Sequence, residues 1–177
     1  AHLMNDENAY ESLADAHGGE GRWAFGTGFD DPLAGVDTTV PAGLDAPDLA
    51  LQCLGLGDDA LVMSQRLAGW CSNAPELEDD VALANIALDL LGQARLLLTR
   101  AADADATLRP ADAPPHIPGE DALAYFRGAA AFRNVRLAEL DDGGDFARCI
   151  ARLFVFVTWR LAQLTGLADA KDPVLAA

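Results

Sequence analysis

Length, composition and charge set the first limits on this chain. It has 177 residues, 51% hydrophobic and 23% charged, which suits one compact domain with its own core. The formal net charge is −16, from 28 acidic and 12 basic residues. A surface this acidic repels phosphate backbones and anionic lipids, so we expect no nucleic-acid and no membrane binding.

The cysteines and the start of the chain indicate where the protein works. Cys53, Cys71 and Cys149 are widely separated, a pattern that fits neither a disulfide framework nor a zinc site. We interpret them as buried free thiols of a cytoplasmic protein. No signal peptide is recognisable, and the residues up to Met4 are interpreted as a tag remnant.

Residues 1–47 are predicted to lie outside the main domain. A short helix is expected over 5–17, followed by an extended glycine-rich arm. Trp23, Phe25 and Phe29 punctuate this arm. Aromatic side chains in such arms usually pack against a protein surface. The sequence leaves open whether that surface belongs to this domain or to a partner. They are our candidate partner contacts.

Residues 48–177 carry the periodicity of helices that pack in a bundle. The first helix precedes the break at Asn73 to Pro75, and the second follows Pro75 with acidic residues in its first turns. So short a break predicts an antiparallel hairpin. The expected core stripes are Cys53, Leu56, Ala60, Met63, Leu67 and Trp70 on the first helix, and Leu77, Val81, Ala84, Leu88, Leu91, Arg95 and Leu98 on the second.

A long proline-rich connection over 103–118 separates this hairpin from the rest. A short helix is expected near 119–128, and a third long helix from Asp145 to Ala168. Because the third helix is apolar on nearly all faces, we expect it to be buried on several sides, with Trp159 in the core. Its predicted core stripe is Ile150, Leu153, Val157, Leu161 and Leu164.

The predicted fold class is all-α, a ferritin-like four-helix bundle with one long crossover. Asp172 and Pro173 resemble the start of a fourth helix, close to the last residue, Ala177. Two explanations of this pattern are open. Either most of the fourth helix is missing from the sequence, which we favour, or a partner covers the gap.

A di-iron site in such a bundle needs four glutamates, two of them in Glu-x-x-His motifs. The histidines here are His2, His17 and His116, and none follows an acid by three residues. The third helix has no acid from Phe146 to Ala168. Asp89 lies among leucines, so we expect it to be buried and paired with Arg95 or a partner's base, with Gln93 in the same network.

Three segments carry a resemblance to a known family. They are LGDDALVMSQRL from Leu56, APELE from Ala74 and ALANIALDLLGQAR from Ala82. They resemble the C subunits of the phenylacetyl-CoA ring epoxidase. The likeness continues through FARCIAR from Phe146 to Trp159 and the Asp172-Pro173 pair. The glycine-rich arm resembles the longer N-termini of actinobacterial members.

The resemblance implies a non-catalytic structural subunit of this epoxidase, which acts in aerobic phenylacetate catabolism. Its tight partner would be the related catalytic A subunit that holds the di-iron centre, within a complex that also contains a B subunit and a reductase. When this chain is aligned with the A subunit, the positions of the metal ligands of that subunit fall at Ala60, Asp89 and Gly92. We therefore expect no cofactor, no metal and no catalytic residue in this subunit.

Two other functions compete with this interpretation. One is a di-iron oxygenase whose remaining ligands lie in a missing C-terminal region. The other is a stand-alone helical interaction module unrelated to the pathway. Co-expression with the catalytic partner discriminates between them, since only the structural subunit is expected to form a tight complex that restores epoxidation.

Overall fold

The computed structural model describes residues 33–177, and within that range the secondary structure is entirely helical. Residues from Gly35 onward form one compact unit. Six α-helices occur in it, separated in the crossover by the 3-10 turns Ala106–Leu108 and Ala129–Ala131. The helices are α1 Ala46–Ala68, α2 Leu77–Ala104, α3 Gly119–Tyr125, α4 Arg136–Glu139, α5 Phe146–Leu167 and α6 Pro173–Ala176. The predicted fold class, three long helices and the start of a fourth, is confirmed.

Helix α1 is the central element. The Asp45 side chain caps its first turn by accepting a hydrogen bond from the Asp48 amide at 3.1 Å, and Pro47 fits the first turn. The predicted stripe is buried from Cys53 to Leu67. Trp70 lies beyond the helix end and is half-buried, with its ring packed edge-on against Phe146 at 5.4 Å. Cys53 and Cys149 are buried as expected, whereas Cys71 is only half-buried.

The turn between α1 and α2 is tight, as predicted. Ser72 adopts a left-handed conformation with φ of 70°, and its amide donates to the Asp80 carboxylate at 2.7 Å. That bond fixes the start of α2 and accounts for one acid of its first turns. The residues up to Asp80 are exposed or half-buried, as expected for acids that complement a helix dipole.

The predicted core face of α2 is wrong. Leu77, Val81, Leu88 and Leu91 are exposed, and Leu98 is the only member of the predicted stripe that is buried. Helix α2 is apolar on two faces, and α1 packs against the one that carries small residues, which permit a close approach. Its buried residues are Leu83, Ala87, Leu90, Ala94, Leu97, Leu98, Arg100 and Ala101.

Helix α5 packs against the α1–α2 hairpin along one face. Asp145 caps it by accepting from the Arg148 amide at 3.1 Å. Cys149, Leu153 and Phe156 join the core formed by α1 and α2. Of the predicted stripe only Leu153 is buried, and Trp159 is 55% exposed. The expectations that α5 is buried on several sides and that Trp159 is a core residue are therefore wrong for residues 33–177.

Helix α6 begins where expected, with Asp172 accepting from the Leu175 amide at 3.1 Å. The Asp172 carboxylate also forms a buried ion pair with Arg100 near the end of α2. Arg100 donates in addition to the backbone oxygen of Thr38. One guanidinium thus joins the segment before α1, the end of α2 and the start of α6.

Two helices, α2 and α5, satisfy the length and apolarity expected of a membrane span. Core helices of proteins outside membranes pass the same test. Both α2 and α5 contribute buried arginines to polar contacts inside the domain, Arg100 and Arg160 among them.

Candidate functional site

The centre of the bundle lies where α1, α2 and α5 meet, and side chains of all three helices form one buried apolar cluster there. Ala60 and Met63 of α1 contact the same core as Ala87 of α2 and Phe156 of α5. Ser64 donates from its hydroxyl to the Ala87 carbonyl oxygen at 2.6 Å, which ties α1 to α2 through a buried polar contact. These contacts leave the first-helix position Ala60 with no exposed surface at all.

The charged group at this centre is an arginine. Arg160 of α5 is buried, and its Nε donates to Gln93 of α2 at 2.6 Å. Its Nη1 donates to the Leu56 carbonyl oxygen of α1 at 3.2 Å. Burial lowers the pKa of Arg160 and the charge of Asp59 opposes that effect. One guanidinium therefore joins all three long helices.

Gln93 belongs to a buried polar network as predicted, but with Arg160 as its partner and not Asp89. Asp89 is exposed on the surface of α2, so the expectation of a buried acid is wrong in residues 33–177. Arg95 pairs instead with Glu120 of α3 at 3.5 Å. The leucines beside Asp89 misled the prediction because Leu88 and Leu91 are themselves exposed.

A pair of adjacent acids fixes the crossover onto α1. Asp58 has no exposed surface and forms a two-pronged ion pair with Arg127. The Asp58 carboxylate also accepts from the Arg133 amide at 2.9 Å. Asp59 accepts from the Val135 amide at 2.7 Å. Burial raises the pKa of Asp59 above its ordinary value, although that amide works in the opposite direction.

A second polar cluster lies just beyond the C-terminal end of α1. Asp142 accepts from Arg152 at 2.9 Å and from the Trp70 indole at 3.2 Å. Burial disfavours the charged carboxylate, but these bonds and one from the Gly144 amide hold the pKa of Asp142 below its ordinary value. The cluster fastens the loop before α5 to the end of α1.

The three aligned ligand positions have different surroundings. Ala60 is buried, whereas Asp89 and Gly92 are exposed on α2. A β-carbon built on Gly92 meets no atom within 4 Å. Among residues 33–177, no group of three or more histidine, cysteine or acidic side chains is placed to hold a metal ion. His116 is exposed in the crossover. The described residues therefore do not fit a di-iron centre.

The cysteines offer no reactive centre in the buried core. Burial raises the pKa of the Cys53 thiol to about 12, and burial also raises that of Cys149. Thiols that stay protonated at neutral pH are poor nucleophiles. These two side chains are packing residues.

Large apolar side chains are exposed on two helices of the described domain, α2 and α5. We call one part the α2 outer face, formed by Leu77, Val81, Leu88 and Leu91, of which Leu77 is 73% exposed. The other part, the α5 outer face, contains Ile150, Phe154, Val155, Val157, Trp159 and Leu161. Exposed apolar areas of this kind typically mark binding surfaces.

Sequence reasoning missed the residues that organise the interior. Asp58, Arg127 and Arg160 were not singled out, although an adjacent acid pair inside an apolar stripe, and an arginine in an apolar helix, were visible signals. The candidate partner contacts Trp23, Phe25 and Phe29, and the expected helix over 5–17, lie outside the described residues.

Comparison with known proteins agrees with this architecture. Residues 37–177 match the model of the family described as phenylacetic acid catabolic protein. A 129-residue stretch, 73% of this chain, is 46% identical to the C subunit of the 1,2-phenylacetyl-CoA epoxidase of Escherichia coli strain K12. The match spans 48% of that relative, about half of its length. The chain is therefore a member of the phenylacetic acid catabolic protein family, with its all-α, ferritin-like fold.

Proposed function

We propose that this chain is a non-catalytic structural subunit of a phenylacetyl-CoA ring epoxidase. In this role it binds and stabilises a related catalytic A subunit that carries the di-iron centre. The observation that carries the proposal is the centre of the bundle, where a methyl group at Ala60 and the Arg160 guanidinium lie among packed side chains.

The chemistry of that centre supports a structural role. A di-iron site needs several carboxylates to balance the charge of the metal ions. Arg160 instead brings a fixed positive charge between the three long helices, and a cation at that place repels metal ions. Its hydrogen-bond partners are the uncharged side-chain oxygen of Gln93 and the backbone oxygen of Leu56, and Asp59 is the acid whose charge acts on it.

The exposed apolar faces support the second half of the proposal. A domain with a net charge of −16 and two apolar helix faces is suited to a protein partner. The relative in Escherichia coli is by its name one subunit of an epoxidase. We infer a cytoplasmic hetero-oligomer with the A subunit, to which a B subunit and a reductase are added.

Metal analysis together with co-expression tests the proposal. The full natural chain is purified alone and with the catalytic A subunit, and iron is measured in both samples. We expect iron only when the A subunit is present, together with a stoichiometric complex that epoxidises phenylacetyl-CoA. Stoichiometric redox-active iron in the isolated chain would support the competing di-iron oxygenase and refute the structural role.

Arg160→Met is a useful second variant in the same experiment. A structural role predicts that this change lowers stability and leaves the iron content of the complex unchanged. Arg148→Met is the matched control, because Arg148 is an exposed arginine on the same helix. A change in the iron content of the complex that occurs with Arg160→Met and not with Arg148→Met would contradict the proposal.

A further inference from the structure

The two exposed apolar faces differ in their relation to the rest of the bundle. Gln93 and Arg100 mark the side of α2 to which α5 and α6 attach. At 3.6 residues per turn, Leu91 lies about 180° around the helix from Arg100 and about 160° from Gln93. The α2 outer face therefore points away from α5 and from the first turn of α6.

Helix α1 also leaves this face free. It packs on Leu83, Ala87, Leu90 and Ala94, which occupy the adjoining side of α2. A helix that continues from the first turn of α6 would start beside Arg100, on the side of α2 opposite Leu91. The α2 outer face consequently lies outside the interior that α1, α2, α5 and α6 enclose.

A groove runs beside the α2 outer face. It has a volume of about 470 Å³ and is lined by residues of α1, α2 and the short helix α3. Its lining is part apolar and part charged, and a β-carbon built on Gly92 would meet no atom within 4 Å. Tyr125 stands at its edge with 79% of its surface exposed. Among the lining residues are Leu61, Leu88, Leu91, Ala124 and Tyr125.

The rim of this groove is acidic at one end. Glu120, Asp121 and Arg95 line it, and within residues 33–177 the ion pair of Arg95 is with Glu120. Two copies of a chain with net charge −16 repel each other. A second copy of this protein is therefore a poor occupant, and a helix with a basic residue near Asp121 is a better one.

We propose that the α2 outer face and this groove receive an apolar helix of the catalytic A subunit, with a basic side chain near Asp121. This inference rests on the proposed function and names its surface. Leu77, Val81, Leu88 and Leu91 are separated by four, seven and three residues, the spacing of anchors that face a single partner helix. The face is about 21 Å long at 1.5 Å per residue.

The test uses the full natural chain co-purified with the A subunit. Leu88→Glu/Leu91→Glu places two charges in the contact, and we expect affinity to fall by at least about 100-fold because unpaired charges are costly to bury. The control Gln52→Glu/Gln65→Glu adds the same charge at exposed polar positions on α1, outside both outer faces. It should bind like the wild type. Affinity is measured by calorimetry, and folding of each variant by circular dichroism.

Two milder variants keep the test decisive if the glutamates disturb folding. Leu88→Ala/Leu91→Ala should weaken binding by about tenfold. Asp121→Lys should slow association most strongly at low salt, because a rim charge acts mainly on the association rate.

The possible results separate the two proposals. If the wild type forms the complex and the α2 variants bind equally well, this inference is refuted while the proposed function stands. If the wild type forms no complex, the proposed function fails and the inference fails with it. A self-associated wild type that both leucine variants convert to a monomer would assign the face to a second copy, and would also refute the inference.

Discussion

Helices α1 and α5 have similar lengths and opposite relations to solvent. Twelve of the 23 residues of α1 are buried, and three of them are Asp58, Asp59 and Ser64. Five of the 22 residues of α5 are buried, two of them arginines, although its sequence is the more apolar. Helix α1 therefore buries polar side chains, whereas α5 exposes apolar side chains to solvent.

The difference shows what a buried polar group requires. Asp58 and Ser64 are inside because a guanidinium or a backbone oxygen meets each of them at hydrogen-bond distance. Phe154 is outside because no described element reaches its side of α5. Burial in this protein follows the supply of neighbours more closely than it follows the hydrophobicity of a residue.

The largest effect on stability is expected from removing Asp58, the buried acid in the middle of α1. Asp58→Ala leaves the Arg127 guanidinium, which is 6% exposed, without its anion. We expect the free energy of unfolding to fall by about 3–5 kcal/mol, measured by urea denaturation. Asp89→Ala is the control and should change stability by less than about 0.5 kcal/mol. An equal loss in both variants would show that Asp89 is also buried.

Two phenylalanines of α5 test its two sides directly. Phe156 is 1% exposed and Phe154 is 67% exposed. We expect Phe156→Ala to cost about 3–5 kcal/mol through the cavity that it leaves. Phe154→Ala should cost less than about 0.5 kcal/mol in the chain of residues 1–177. Thermal and urea unfolding of both variants check the difference, and similar losses would contradict the one-sided packing of α5.

Two glycines sharpen the contrast between the inner and outer surfaces. A β-carbon on Gly57 would lie 3.0 Å from Leu98, so Gly57→Ala should destabilise the hairpin by about 1–3 kcal/mol through overpacking. Gly92 has open space in the same position. Gly92→Ala should stabilise α2 by about 1 kcal/mol because alanine favours helix. Denaturation midpoints with unchanged slopes would verify both signs.

The smallest expected effect is a pH dependence of opposite sign at two acids. The pKa of Asp142 is lowered by folding, so its contribution to stability is present above 3.8 and is lost as the pH falls through its folded pKa. Asp142→Asn should therefore destabilise the protein at pH 7 and matter less in acid. The free energy of unfolding of Asp142→Asn, measured at several pH values from 7 into the acid range, should fall less with decreasing pH than that of the wild type.

Asp59 should behave in the opposite way. Its pKa is raised by burial, so its contribution is fully present below 3.8 and is lost as the pH rises through its folded pKa. Asp59→Asn keeps an acceptor for the Val135 amide and removes the buried charge. We expect a gain in stability at pH 7 and none in acid, and a loss at pH 7 would show that the charge of Asp59 is needed by Arg160.

The sequence predicted which residues form helices better than it predicted which face of each helix is buried. The α1 stripe from Cys53 to Leu67 was correct because α1 has neighbours on several sides, so that twelve of its 23 residues are buried. The stripes of α2 and α5 were wrong because each of these helices is apolar on more than one face, and periodicity alone cannot choose between them. The aligned positions Ala60 and Gly92 were recognised from local motifs, whereas Arg160 was not. The absence of a cofactor and the role of Trp23, Phe25 and Phe29 stay predictions.

The sequence by itself determined the all-α class, the hairpin, the long crossover and the family. Those properties depend on local signals, namely helix caps, prolines and short motifs near one another in the chain. The tertiary structure alone decided which faces are buried, that Arg127 meets Asp58, and that Arg160 joins three helices. These contacts bring together residues 67 to 104 positions apart, and such pairings depend on packing in three dimensions.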